Sequence, residues 1–314
     1  MNAPESLSVV ICAYTVDRWD DLTDAIRSVQ AQRRPVDDVL LVVDHSPELA
    51  RRAGAARFTG VRVIGNQQRQ GLSGARNTGV GAARGEVVAF LDDDAAADPD
   101  WSGRLLDGYR DPAVLGVGGL VRAYWESGRP AWFPREFDWV VGCCYRGMPE
   151  QRSPVRNFIG ANMSFRRSVI LAAGGFRTDL GRVGNRPLGC EETELCLRIA
   201  AADPDGVLLY EPAAAVRHHV PGARATWSYF RSRCYAEGLS KAAVARHAGS
   251  GPALASERAY LRTALPRALR RGLRPGSGTA TATVAALATG VGATALGYAG
   301  GRLRAATTPG GGAP

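Results

Sequence analysis

Residues 86–101 read EVVAFLDDDAAADPDW, and the meaning of this stretch decides the fold. Its first half, Val87 to Leu91, is apolar and β-rich, the composition of a strand buried on both faces. It ends at three consecutive carboxylates, Asp92, Asp93 and Asp94. Carboxylates crowded at the end of a buried strand repel one another, a cost that a bound cation relieves. Oxygen ligands of this kind suit Mg²⁺ or Mn²⁺, which keep several waters and bridge to substrate phosphates. The competing reading is an acidic turn leading into a Pro-containing loop. The surrounding chain has to choose between the two.

Outward from this point, strands and helices alternate. Residues 7–14 (LSVVICAY) read as a strand, and 18–32 as a helix with Leu22, Ile26 and Val29 at helical spacing. Residues 39–44 (VLLVVD) and 61–66 read as further strands, and 71–84 as a small-residue helix leading into the strand that stops at Asp92. Near-continuous apolar strands separated by helices predict a parallel sheet covered on both faces. Such sheets bind ligands at the carboxyl ends of their strands. Three of those ends are polar here: Tyr14-Thr15, Asp44-His45 and Asp92 to Asp94. They point to one site. From 114 to 217 the pattern is irregular and rich in Gly, Trp and Pro, the expected second half of the same domain. Residues 224–247 predict an amphipathic helix that interleaves Trp227, Phe230, Cys234 and Leu239 with Arg231, Arg233 and Lys241.

At 314 residues the chain can bury a full core, as one large domain or two small ones. Its six cysteines form no CxxC pair, which predicts a reduced, cytosolic catalytic region. No secretory leader is expected, since MNAPESLSVV lacks a basic stretch followed by a long apolar core. The net charge of +9 is unevenly spread. Residues 217–314 hold 14 Lys and Arg against two acids, so the preceding 216 residues are slightly acidic. That argues against a core built for nucleic acid and for a cationic tail facing an anionic partner, a membrane surface first. Within the tail, Arg267, Arg270, Arg271 and Arg274 precede an uncharged run from 275 to 301. Residues 279–301 are long enough to span a bilayer, which takes ~20 apolar residues. Ala, Thr and Gly dominate the run, so a spanning helix, an interfacial helix and a linker all fit. The excess of arginines on its N-terminal side would keep the catalytic region cytoplasmic. The last residues, TTPGGGAP, read as loose.

Six motifs in order resemble those of the family 2 glycosyltransferases of the GT-A fold. They are SVVICAYT (8–15), LVVDHS (41–46), GLSGARNTG (71–79), FLDDD (90–94), GANMSFRR (160–167) and GCEETELCLR (189–198). The match runs from about residue 7 to 240. It implies an α/β, Rossmann-like GT-A domain: a central, mostly parallel sheet with helices on both faces. Residues 1–112 would form the nucleotide-sugar half, 113–247 the acceptor half with the amphipathic helix, and 248–314 the basic, membrane-associated tail. It further implies an inverting enzyme that takes one sugar from a nucleotide-diphosphate donor with Mn²⁺ or Mg²⁺. The acceptor would be lipid-linked or another glycan.

The resemblance assigns roles residue by residue. Ala13, Tyr14 and Thr15 would meet the nucleobase, although packing explains a buried Tyr equally well. Asp44 would accept hydrogen bonds from the base or ribose; His45 stands where the family usually has an acid or Asn, which leaves the base unspecified. Arg76 would offer a guanidinium to the donor, or lie on a helix surface. Asp94 would bind the metal directly, with Asp92 and Asp93 reaching it, its water or the ribose. His218, in preference to His219, would complete the metal shell. Glu192 falls where the family places its catalytic Asp, and would take the acceptor proton. An acidic first turn favoured by the helix dipole is the other reading of Glu191, Glu192 and Glu194. Glu194 and Arg198 suit a structural i,i+4 pair.

Absences narrow the choice. The QxxRW motif of processive synthases is missing, so one sugar per acceptor is expected. In its place stands TWSYFRSRCYAEGLSK (226–241), whose aromatic and basic side chains suit lipid headgroups, an acceptor pyrophosphate or simple core packing. A nucleotidyltransferase would need a Gly-rich phosphate loop after the first strand, and a dehydrogenase GxGxxG; neither is present. A degenerate, membrane-tethered sugar-binding relative is the non-enzymatic rival, and the retained Asp92, Asp94 and Glu192 speak against it. The tail is expected to be separable, so that truncation near Ala264 releases the protein from membranes and spares donor hydrolysis. The loops between 124 and 145 are expected to shape the sugar pocket.

Overall fold

The computed structural model describes residues 6–182, 189–249, 260, 262–263, 265–268 and 280–307. Arg270, Arg271, Arg274 and all of the TTPGGGAP end but its first Thr lie outside the described residues.

Strands β1 (Leu7–Ala13), β2 (Asp38–Val43), β3 (Val61–Gly65) and β4 (Val87–Asp92) are joined by α1 (Trp19–Gln30), α2 (Pro47–Ala56) and α3 (Leu72–Ala82). All four pair in parallel, in the order β3-β2-β1-β4. Their apolar runs are buried on both faces. Leu7, Val9 and Ile11 pack on Leu22, Ile26 and Val29 of α1. Val10, Leu40 and Val42 face Ala75 and Val80 of α3 on the other side. The alternation follows from the two-residue period of a strand.

The second half contributes β5 (Ala95–Ala97), α4 (Trp101–Gly108), β6 (Val114–Trp125), β7 (Ser153–Pro154), β8 (Asn162–Arg166), α5 (Arg167–Ala172), α6 (Glu191–Ala202) and β9 (Val207–Val220). It extends the same sheet as β4-β8-β6-β9-β5, with β7 on β9. Here the parallel pattern gives way. β8 runs antiparallel to both β4 and β6, β6 and β9 are parallel, and β5 is antiparallel to β9. The sheet is thus mixed, parallel throughout β1 to β4. Asn162 locks the junction: its amide donates to the carbonyls of Leu120 and Ala214 and accepts from Trp101 Nε1 at 2.8 Å. That explains a fully buried Asn in GANMSFRR, since each polar atom is satisfied.

The segment 47–56 carried no assignment from the sequence and is helical. Its signal was present: Ser46 caps the helix by accepting from Leu49 N, and Pro47 stands at the first turn.

Helix α7 (Trp227–Ala248) begins at Thr226, whose hydroxyl accepts from Tyr229 N. It is not a surface amphipathic helix. Phe230, Cys234, Gly238, Ala242 and Ala245 are all buried along it, and the C-terminal helix (Ala280–Thr307) packs against it. The two helices touch through small residues. A Cβ at Gly238 would stand 2.1 Å from the carbonyl oxygen of Thr294, and one at Gly297 would stand 2.0 Å from that of Tyr235. Only glycine permits so close a backbone approach. The linker reading of 279–301 therefore fails. The stretch Thr281–Arg304 is one continuous helix, long and apolar enough to cross a membrane by length and composition.

Gly238→Val should force the two helices apart, an overpacking cost of about 1–3 kcal/mol. Hydrogen exchange of 281–304 would show it: protected amides in the natural chain and rapid exchange in the variant. Equal protection would contradict this packing.

Candidate active site

A cavity of about 690 Å³ opens where β4, β9 and the start of α6 meet. Strand pairing builds its acidic side. Ala95 of β5 stands opposite His218 of β9, and His219 N donates to the Asp94 carbonyl at 2.7 Å. This register places His218 Nε2 3.0 Å from Asp94 Oδ1. Asp92, Asp94 and His218 each offer a ligand atom, all within 4.8 Å of one another. Two carboxylate oxygens and an imidazole nitrogen suit a divalent cation such as Mn²⁺ or Mg²⁺, leaving room for water and phosphate oxygens.

Two arginines complete this corner, and sequence reasoning missed both. Arg18, in the turn after β1, reaches Asp93 Oδ1 at 2.9 Å and Asp94 Oδ2 at 3.3 Å. Arg224, just beyond β9, reaches Asp94 Oδ2 at 3.2 Å. Nothing in the sequence marks either, since the sheet alone brings positions 18, 94 and 224 together. Burial would raise the Asp94 pKa, but His218, Arg224 and Arg18 outweigh it and hold the carboxyl far below its ordinary range. Burial likewise disfavours the His218 imidazolium, and Asp94 overcomes it, raising His218 well above an ordinary histidine. Asp93 is raised, by burial first and then by Asp94. It turns toward Arg18, and its Oδ2 has no hydrogen-bond partner among the described residues.

Arg76 is neither a surface arginine nor free to the solvent. It is 2 % exposed, and its guanidinium meets Glu191 Oε1 at 2.8 Å, the Gly160 carbonyl at 3.1 Å and Asp92 Oδ1 at 3.4 Å. The rings of Phe90 and Phe176 flank it. The side chain offered to a donor by resemblance is mainly a bridge between α3, β4 and α6.

The remaining donor-side residues sit at strand ends outside the cavity lining. Asp44 accepts from Asn66 Nδ2 at 2.7 Å and from Gly71 N at 2.9 Å, which pins the loop before α3. The Ala13 carbonyl accepts from Asp44 N. The Tyr14 hydroxyl accepts from Arg18, and Thr15 caps the turn that carries Arg18. His45 adopts a left-handed φ of 49° and meets the Gln68 carbonyl.

Glu192 lies on the cavity wall at the first turn of α6, next to Cys190 with its left-handed φ of 70°. Backbone strain of this kind for a non-glycine residue is common at functional sites. Burial, then the neighbouring Glu191, pushes the Glu192 carboxyl up to about 8, against the pull of Arg76. A carboxyl with high proton affinity suits a general base. Glu194 instead pairs with Arg198 at 2.6 Å and is structural.

The opposite wall is apolar and draws on two distant segments. Phe137, Trp139 and Val141 come from the loop after β6, as expected for the pocket-shaping region. Val291, Ala295 and Tyr298 come from the C-terminal helix. Truncation near Ala264 would remove this part of the cavity wall. Trp227 and Phe230 pack in an aromatic cluster, with Trp132 stacked on Trp227 at 4.3 Å and Phe133 edge-on to Phe230 at 5.2 Å. Core packing thus accounts for both.

Residues 8–172 match the family described as Glycosyl transferase family 2. The chain is 35% identical over 238 residues to the glucosyl-dolichyl phosphate glucuronosyltransferase of Haloferax volcanii, covering 75% of this chain and 76% of that one. It is 27% identical over 248 residues to the succinoglycan biosynthesis protein ExoM of Rhizobium meliloti, covering 76% and 74%. Among solved structures, mannosyltransferase PcManGT from Pyrobaculum calidifontis, in complex with GDP-Man and Mn²⁺, superposes with a TM-score of 0.57 at 20% identity, over 96% of this chain and 87% of that one. GalNAc-T7 with UDP, GalNAc and Mn²⁺ gives 0.51 at 18% identity over 74% of this chain, which spans about half, 48%, of that one. At these identities the two structures bear on the fold alone, and the fold is GT-A.

Removing Arg76 as Arg76→Met should strand Glu191 as a buried, uncompensated acid, at about 3–5 kcal/mol. The double variant Arg76→Met with Glu191→Met should recover part of the loss. Chemical denaturation of both would check this; a single variant as stable as the natural chain would contradict the bridge.

Proposed function

The chain belongs to glycosyl transferase family 2, and we propose on that footing that it is a metal-dependent, inverting enzyme moving one sugar from a nucleotide-diphosphate donor to a hydroxyl of a lipid-linked or membrane-proximal glycan. One observation carries the reading: Asp92, Asp94, His218 and a Glu192 of raised proton affinity line one cavity.

In this mechanism Asp94, Asp92 and His218 would hold Mn²⁺ or Mg²⁺. A divalent cation bound there supplies Lewis-acid neutralisation of the leaving diphosphate. Arg18 and Arg224 add fixed positive charge at the same corner, suited to phosphate oxygens. Ala13, Tyr14, Thr15 and Asp44 would frame the base and ribose at the ends of β1 and β2. Glu192 would accept the acceptor hydroxyl's proton as that oxygen attacks the anomeric carbon, and the proton stays on its carboxylate. Attack opposite the leaving diphosphate inverts the carbon. Residues 1–112 would then serve the donor and 113–247 the acceptor, with 248–314 as the membrane-associated tail.

The name of the Haloferax relative, which specifies a dolichyl phosphate-linked sugar, supports a lipid-linked acceptor here. Leu296 and Leu303, one face of the C-terminal helix, are 68% and 69% exposed and would rest on the membrane. The interfacial position is the better fit. A spanning helix would draw Arg231, Arg233, Glu237 and Lys241 of the adjoining α7 into hydrocarbon. The six free thiols suit the cytoplasmic face.

The test is release of nucleotide diphosphate from a panel of UDP-, GDP- and dTDP-sugars with Mn²⁺ or Mg²⁺. One donor should turn over, with the metal required and with Asp94→Asn reducing release at least a hundredfold. Glu192→Gln should keep nucleotide binding and lose transfer to acceptor. No release and no nucleotide binding would overturn the enzymatic reading in favour of a sugar-binding scaffold.

The base must be deprotonated, so transfer should fall as pH drops below about 8 rather than near 4.5. A rate flat between pH 6 and 9 would contradict Glu192 as the base. The same shift has a stability consequence. A carboxyl raised on folding stabilises fully below its unfolded pKa and loses that contribution as pH rises through the folded value. The melting temperature of Glu192→Gln should therefore gain on the natural chain between about pH 5 and pH 8.

A further inference from the structure

On the acceptor side of the cavity, Arg233, Glu237 and Lys241 follow one another at four-residue spacing along α7, and all three line the wall. Glu237 Oε2 meets Arg233 at 3.1 Å, and its Oε1 meets Lys241 at 3.1 Å and the Cys190 thiol at 3.3 Å. Burial would raise Glu237, but Lys241 and Arg233 outweigh it and hold the carboxyl at about 2. One ionised acid thus orients two cations. A Cβ added to Gly189 would lie 3.4 Å from Arg233 Nη2, so the guanidinium stands against the loop that leads into Glu192. The trio carries one acid between two bases, a charge complementary to the single negative charge of a phosphodiester.

The apolar wall begins beside it. Val291, Ala295 and Tyr298 face the cavity from the C-terminal helix, while Leu296 and Leu303 of the same helix face outward. One helix therefore presents apolar side chains to the cavity on one face and to the outside on another.

We propose that Arg233 and Lys241 form a subsite for the phosphate of a lipid-phosphate acceptor, whose hydrocarbon chain lies against Val291, Ala295 and Tyr298. The sugar beyond the phosphate is then directed toward Glu192; that last clause rests on the transferase reading above, whereas the phosphate and chain subsite stands by itself. Nothing in this role touches the donor corner at Asp94.

The test is binding to the full-length chain, by calorimetry, of dodecyl phosphate, the neutral dodecyl β-maltoside and inorganic phosphate. Dodecyl phosphate should bind at least tenfold tighter than either other probe. Arg233→Gln and Lys241→Gln should each weaken it at least tenfold, to the level of the maltoside. Ala295→Trp should weaken both dodecyl probes and leave inorganic phosphate unchanged. Arg231→Gln, an exposed charge on the same helix outside the cavity lining, should leave dodecyl phosphate binding unchanged, and an equal loss there would overturn a specific subsite. Equal affinity for the two dodecyl probes, or charge variants that fold and bind dodecyl phosphate unchanged, would overturn the proposal. Tighter inorganic phosphate than dodecyl phosphate would overturn the lipid chain. Failure of the transferase reading would show separately, as no donor release by the natural chain.

Discussion

Everything at this site depends on a guanidinium that is 2 % exposed. Among the described residues Arg76, on α3, is hydrogen-bonded by groups that arrive from three other segments: Asp92 at the end of β4, the Gly160 carbonyl before β8, and Glu191 at the start of α6. A buried cation without such partners would cost several kcal/mol, so the fold is under pressure to bring those segments together. In doing so it fixes Asp92, on the metal corner, relative to Glu192, the next residue after Glu191. The first and second halves of the domain are thus tied by one ion cluster as well as by sheet pairing. Glu191 Oε2 and Asp93 Oδ2 remain without hydrogen-bond partners among the described residues, both at the edge of this cluster. Unsatisfied buried carboxylate oxygens are costly, and they mark where a bound group would relieve the strain.

A second constraint is the register of β5 on β9. It sets Asp94 against His218 and lets Arg18 and Arg224 close on the same carboxylate. The acid that resemblance assigns to a metal is therefore already surrounded by positive charge. Binding of a cation has to displace part of that set, and Arg18 and Arg224 are the side chains with phosphate oxygens to turn to. The site is poised for an anion and a cation arriving together, as a metal-bound diphosphate does.

Much of the first half was legible in the sequence because its cause is local. The strands up to Asp92 carry an unbroken apolar signal, and their ends differ from the reading by a residue or so. The acid cluster was legible from residue type at a strand end, and His218 and Glu192 were singled out by the resemblance of their motifs; the structure brings all of them to one cavity. Three things were not. Arg76 reads as a donor-facing guanidinium or a surface arginine and not as a bridge, because helical position says nothing of what approaches from 115 residues away. Arg18 and Arg224 carry no motif and acquire meaning only through the sheet. The burial of α7 and the place of the C-terminal helix are tertiary: a stripe of Gly, Ala and Thr suits a weak membrane span as well as a close helix contact. The backbone approach at Gly238 and Gly297 shows the helix contact, which sequence alone does not, and a membrane span is compatible with that contact.

The most direct measurement is anomalous diffraction from crystals grown with Mn²⁺ and a nucleoside diphosphate. The account predicts one strong peak coordinated by Asp94 and His218, with Asp92 as a ligand or one water away. The diphosphate should lie on its open side near Arg18 and Arg224, and the Arg76–Glu191 pair should be intact. A cation bound elsewhere, with Asp94 still paired to His218 and both arginines, would contradict it.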